Sequence, residues 1–247
     1  MIAKCKHYVR PSSLTPIEHV FDDGWVTVRG LEQAEAALAG AGLAAPPEPV
    51  AVLPALRTLL GGLRRGHAVS VDASGVLPLA LLAGATAAGA WSAMVGFSEF
   101  GVLAAADLGA DLGRVVVVED PGSQWSEVVA VLLTSVELVL VRPPAPVGGQ
   151  LARRLVALAR RNGAALVCAG DWEGAQTRLH VASSLWVGPD GGAGHLRGRR
   201  VRVEASGRGA GARPRSAWLW LPGPDGTVSG ADLEAIESAP AELDVAG

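Results

Sequence analysis

From His67 onward the chain alternates short apolar runs with longer segments whose apolar residues recur at helical spacing. The runs His67 to Val71, Trp91 to Phe97, Arg114 to Glu119, Leu138 to Val141 and Ala164 to Ala169 are short and nearly continuous in Val, Leu and Ala, which predicts buried strands. Between them the pattern predicts helices at Leu79 to Ala88, Gly101 to Leu108, around Gln124 to Val136, and Gln150 to Arg161. In the last of these Leu151, Leu155 and Leu158 fall on one stripe while Arg153, Arg154, Arg160 and Arg161 face mainly elsewhere, as on a helix with one side against a core. Apolar strands separated by helices predict an α/β, three-layer domain: a mostly parallel sheet with helices on both faces. After Asp171 the rhythm changes. Leu179 to Val187, Arg199 to Glu204 and Ala217 to Leu221 alternate polar and apolar residues between Gly-rich turns, which predicts an antiparallel C-terminal extension. The expected organisation is an N-terminal segment 1–50 with no assigned role, a core domain 51–222, and an acidic, flexible tail 223–247.

Composition narrows the class. With 247 residues, 49% of them hydrophobic, the chain can bury the core of one such domain. Residues 75–97 carry no charge over a membrane-spanning length, but Pro78 opening a small-residue helix that runs into the strand-like Trp91 to Phe97 explains the same letters as buried structure. The N-terminal MIAKCKHYVRPSS lacks the apolar stretch of a secretory signal. Cys5 and Cys168 are isolated, and the five His residues show no ligand spacing, so no disulfide framework, metal or cofactor is expected and the location expected is cytoplasmic, with no membrane partner. Ser74 before Gly75 lacks the strand-turn-helix glycine pattern of a hydrolase nucleophile.

Three passages carry a family resemblance: LLGGLRRGHAVSV (59–71), AAADLGADLGRVVVVEDPGSQWSEVVAVLLTSVELVLVRPP (104–144) and VRVEASGRGAGARPRSAWLWLPGPDG (201–226). Over about Leu53 to Gly226 the chain resembles the RecA-like superfamily, and within it the ImuA and ImuA-prime type accessory proteins of bacterial mutagenic repair. The resemblance implies a nucleotide site after the strand ending at Val71, where a working phosphate loop needs glycine N–H groups, a Lys for the phosphate charge and a Ser or Thr for Mg²⁺. This chain has Asp72-Ala-Ser-Gly-Val-Leu-Pro78 there. With Gly75 as the last glycine, Val76 stands at the Lys position and Leu77 at the hydroxyl position. The strand VELVLVRP ends in Arg142 where a metal-holding Asp is expected, and a cation there repels a metal. The strand ending LVCAGD171 offers no Gln to sense a γ-phosphate, and Glu99 is read as a helix-entry residue rather than a catalytic acid. The expectation is a degenerate site without ATP hydrolysis.

What remains is binding. The loops at which RecA-like proteins grip DNA are short here: PPAPVGG after Arg142, and a brief connection from Gly170 to Leu179. Arg197, Arg199, Arg200, Arg202, Arg208, Arg213 and Arg215 are opposed only by Glu204, a cluster suited to phosphates or to an acidic partner segment. Of the seven Trp residues, Trp91, Trp186, Trp218 and Trp220 lie in expected strands, where packing is the expected use, whereas Trp125 and Trp172 adjoin loops and are candidate partner contacts. In the acidic tail, Ala231 to Ser238 can place Leu233 and Ile236 on one side of a short helix that folds on a partner. The resemblance implies a non-catalytic adaptor of the DNA-damage (SOS) response, in a mutasome for translesion synthesis. Its partner would be an ImuB-like Y-family polymerase homologue, with RecA and an error-prone replicative-type polymerase as further partners. The alternative is a single-strand DNA or RecA-filament binding module built on the Arg-rich hairpin.

Overall fold

Short valine, leucine and alanine runs become central strands because both of their faces can be covered, and the burial pattern splits them residue by residue. Val69 and Val71, Val115 and Val117, Leu138 and Leu140, and Ala165, Val167 and Ala169 enter one core cluster. The alternate residues Ala68, Val116 and Val118, Val139 and Val141, Leu166 and Cys168 enter a second, on the other side of the sheet. The computed structural model describes residues 26–28, 48–72, 75–98, 101–188, 195–207 and 213–231.

In chain order the elements are β1 (Val26–Val28), α1 (Arg57–Leu60), β2 (Ala68–Val71), α2 (Leu77–Ala87), β3 (Ser92–Val95), α3 (Val102–Asp107), β4 (Val115–Val118) and α4 (Trp125–Leu132). There follow β5 (Leu138–Val141), α5 (Gly149–Asn162), β6 (Ala165–Ala169), β7 (Thr177–Val187), β8 (Gly198–Gly207), β9 (Arg215–Trp220) and β10 (Ser229–Gly230). The strands form one mixed sheet in the order β1-β4-β3-β5-β6-β2-β7-β8-β9-β10. Pairing is parallel from β1 through to β7 and antiparallel from β7 to β10. The expected α/β class, mostly parallel sheet and antiparallel extension are all present.

Helix α2 and the segment from Val50 through α1 cover the first face, with α3 packed beside α2, while α4 and α5 cover the second. Nearly every residue of α2 is buried, which is why its sequence carries no charge. Among the described residues no helix is long and apolar enough to cross a membrane. Its small residues let backbone approach backbone: a Cβ on Gly84 would lie 2.3 Å from the backbone nitrogen of Leu53.

The N-terminal edge of the parallel strands is fastened by one buried ion pair. Arg65, just before β2, meets Glu137 Oε1 at 3.2 Å with both side chains about 10% exposed, and donates to the carbonyls of Glu48 and Gly163. Glu137 Oε2 accepts the Trp91 backbone N–H at 2.9 Å. One carboxylate and one guanidinium thus tie the entries of β2, β3, β5 and β6.

Two boundaries differ from expectation. Within the segment 1–50, Val26–Val28 adds an edge strand beside β4. The chain from Gly223 does not leave the domain at once: Gly223 donates to the Thr227 carbonyl, Asp225 accepts from the Thr227 N–H and hydroxyl, and β10 then pairs with β9. Three residues are too few for a hydrophobic period, and a Pro/Gly turn conceals a two-residue strand.

Candidate functional site

In open α/β sheets, binding sites form at the C-terminal ends of the parallel strands. Here that edge carries an open groove of about 790 Å³ beside β2, β7 and α2, lined by Asp72, Gly75, Val76, Leu77, Arg199 and Leu221 among others. Gly75 has φ +90°, a conformation that favours glycine. Leu77, at the start of α2, is 1% exposed and belongs to the core, and Val76 packs partly against it. The two positions that would serve phosphate and metal are therefore spent on apolar packing. Asp72 is spent too: its Oδ1 lies 3.2 Å from His180 Nδ1 and its Oδ2 accepts the Val181 backbone N–H at 2.7 Å, joining the end of β2 to β7. A cation does reach the groove from β8, where Arg199 Nη1 would lie 3.6 Å from a Cβ on Gly75 and its guanidinium sits over the Trp186 ring at 5.5 Å.

Arg142 follows β5 at the same edge of the sheet and is half-buried. Its guanidinium lies 4.4 Å from the centroid of Phe97, which follows β3. Its carbonyl abuts Gly96, where an added Cβ would lie 2.3 Å from the oxygen and φ is +81°. The residue that stands at the expected metal position instead packs one strand end against its neighbour.

The Arg-rich cluster does not form one patch, because successive residues of a strand face opposite ways. Val201, Val203 and Ala205 of β8 point into the core. Arg200 and Arg202 point to the other side, the outer face of the β7–β9 sheet, where register aligns Leu185 with Arg200 and Trp220, and Ser183 with Arg202 and Trp218. The Arg200 guanidinium lies 4.6 Å from the centroid of the Trp220 ring, and Arg202 meets Glu204 at 3.1 Å. Arg199 faces the groove instead. Arg197 is exposed just before β8, Arg213 and Arg215 are exposed at the start of β9, and Arg208 lies outside the described residues.

One of the two Trp residues expected at the surface is corrected. Trp172 is 3% exposed and belongs to the core beneath α4 and α5; the loop after β6 folds inward rather than away. Trp125 opens α4 half-buried against the same cluster. Trp186, expected to pack in a strand, is half exposed. Leu233 and Ile236 lie outside the described residues, as does Glu99. Sequence proximity groups the seven arginines together and hides the outer Arg and Trp rows; the signal for them is the alternate spacing of Arg200 and Arg202 against that of Trp218 and Trp220.

The Cys168 thiol is pushed up to about 12 by burial, with the Asp171 carboxylate adding to it, so it has little thiolate character. His67 is held below its ordinary value by partial burial, then by Arg64 and Arg160. No group of three His, Cys, Asp or Glu residues that could hold a metal ion occurs among the described residues.

The parallel half, from the turn before α1 to just beyond β6, matches the MT3502 N-terminal domain family over residues 54–174. The chain is similar to the uncharacterized protein Rv3395c of Mycobacterium tuberculosis (strain ATCC 25618 / H37Rv), at 36% identity over 176 residues, taking in 66% of this chain and 79% of that protein. The chain belongs to this family. The family match takes in Gly75, Val76, Leu77 and Arg142 and ends before β7, so the outer Arg and Trp rows lie beyond it.

Proposed function

We propose that this protein is a non-catalytic, RecA-like adaptor of DNA-damage-induced translesion synthesis, acting in the cytoplasm and binding an ImuB-like Y-family polymerase homologue. The observation that carries the reading is the filling of the nucleotide position: Leu77 is buried in the core, Val76 packs against it, and Arg142 stacks on Phe97. A parallel core followed by an antiparallel extension supports the RecA-like class. Such a scaffold offers surfaces without a nucleotide cycle, which suits a protein that holds others together.

Two measurements test the proposal. Titration of a fluorescent ATP analogue with Mg²⁺ is expected to give no saturable binding; a micromolar dissociation constant would sink the non-catalytic reading. Purification of the tagged full chain from DNA-damaged cells is expected to bring a Y-family-like protein with it. Its consistent absence removes the mutasome assignment.

A further inference from the structure

The outer face of the β7–β9 sheet is where basic and aromatic side chains interleave. Register sets Leu185, Arg200 and Trp220 in one row across the three strands and Ser183, Arg202 and Trp218 in the next. Rows on one face are two residues apart, about 6.7 Å along the strand, and strands lie about 4.8 Å apart. The result is a small grid in which each guanidinium has an indole beside it. The face is partly open: Leu185 is 45% exposed, the side chains of Arg178, His180 and Arg202 are about half exposed, and Arg200, Trp218 and Trp220 are half-buried. Its acidic neighbours are already engaged: Glu204, opposite His180 and Ser216, with Arg202, Asp171 with Arg178, and Asp72 beside His180.

We propose that this face binds single-stranded nucleic acid, with Trp218 and Trp220 as stacking surfaces for bases and Arg200 and Arg202 as phosphate contacts. Three features select that occupant. Cations alone would suit any polyanion, but flat indoles between them match a ligand that alternates charge with aromatic rings. A guanidinium over an indole uses its flat face for stacking, while its planar edge makes the hydrogen bonds that recognise a phosphate. A duplex keeps its bases stacked on each other and offers the indoles nothing, and an open sheet face that stacks splayed bases is an established mode of single-strand recognition. The inference stands apart from the adaptor reading, because its readout needs no polymerase homologue.

The test is fluorescence anisotropy of a labelled oligothymidine of roughly 20 nucleotides, longer than one such platform covers, titrated with the full chain between about 50 and 200 mM salt. Saturable binding that weakens with salt is expected. Arg200→Gln and Arg202→Gln should each flatten the log–log salt slope by about 0.7. Trp218→Leu should weaken binding roughly 5- to 150-fold and leave the slope unchanged. Arg154→Gln, on the exposed side of α5, should change neither. Arg202 is exposed, so its variant keeps the test decisive even if loss of an indole disturbs folding. Absence of binding by the full chain at the lowest salt, an equal effect of Arg154→Gln, or equal affinity for a blunt duplex overturns the proposal. So does binding that appears only after Asp232, Glu234, Glu237, Glu242 and Asp244 are changed to amides, which would give the face to the chain's own acidic stretch.

Discussion

At the scale of single residues, burial decides more than chemistry does. Cys168 is buried in the second core cluster with its thiol pushed up to about 12. Alkylation by iodoacetamide at pH 8, read by peptide mass spectrometry, should therefore spare Cys168 in the folded protein and modify it after denaturation. Glu137 and Arg65 share a nearly closed site. Glu137→Ala removes one charge and leaves the other buried, so urea unfolding should show a loss of about 3–5 kcal/mol. His67 titrates below its ordinary value of 6.5 in the fold. The unfolded chain then takes up the proton first, and the stability present above that value is lost as pH falls through the depressed folded one. His67→Gln should flatten this part of the stability profile. Trp172 shows the limit of reading single residues, because nothing in Gly-Asp-Trp-Glu says whether the loop turns the indole inward. Arg199 and Arg200 show another: adjacent in sequence, they serve opposite sides of the sheet, and the bulge between Val181 and Ser183 hides that parity from the pattern in β7.

At the scale of elements, the parallel half was legible because its strands and helices differ in both length and period. β5 was expected at its observed bounds, and α5 to within a residue at each end. The expected helix to Val136 ends instead at Leu132, followed by turns in which Ser135 and Val136 both donate to the Leu132 carbonyl. β1 and β10, with three and two residues, pair with β4 and β9 along the backbone and are too short to leave a period in the sequence. The groove could not be read either, since it depends on β7 and β8 passing beside the end of β2. Helix α2 carries a prediction of its own: Gly84 lets the extended segment at Val52 and Leu53 lie against it. Gly84→Val should cost about 1–3 kcal/mol by forcing that segment away, visible as a lowered denaturant midpoint. Gly84→Ala should lie between this variant and the natural chain.

At the scale of the whole molecule, the two halves of the sheet share one core. Leu179, Val201, Val203 and Leu219 from the antiparallel strands sit in the same cluster as Leu81, Met94 and Leu140. The segment matched by the family, residues 54–174, leaves those partners behind. Expressed alone it should lack the single cooperative unfolding transition expected of the full chain, as calorimetry can show. The salt-linked clamp of Arg65 and Glu137 lies at the opposite end of the strands from Gly75 and Arg142. Floor and rim are in this sense mechanically separate. A lineage can rewrite the rim, exchanging ligands, losing a reaction or acquiring a contact, while the joints that close the fold are left alone.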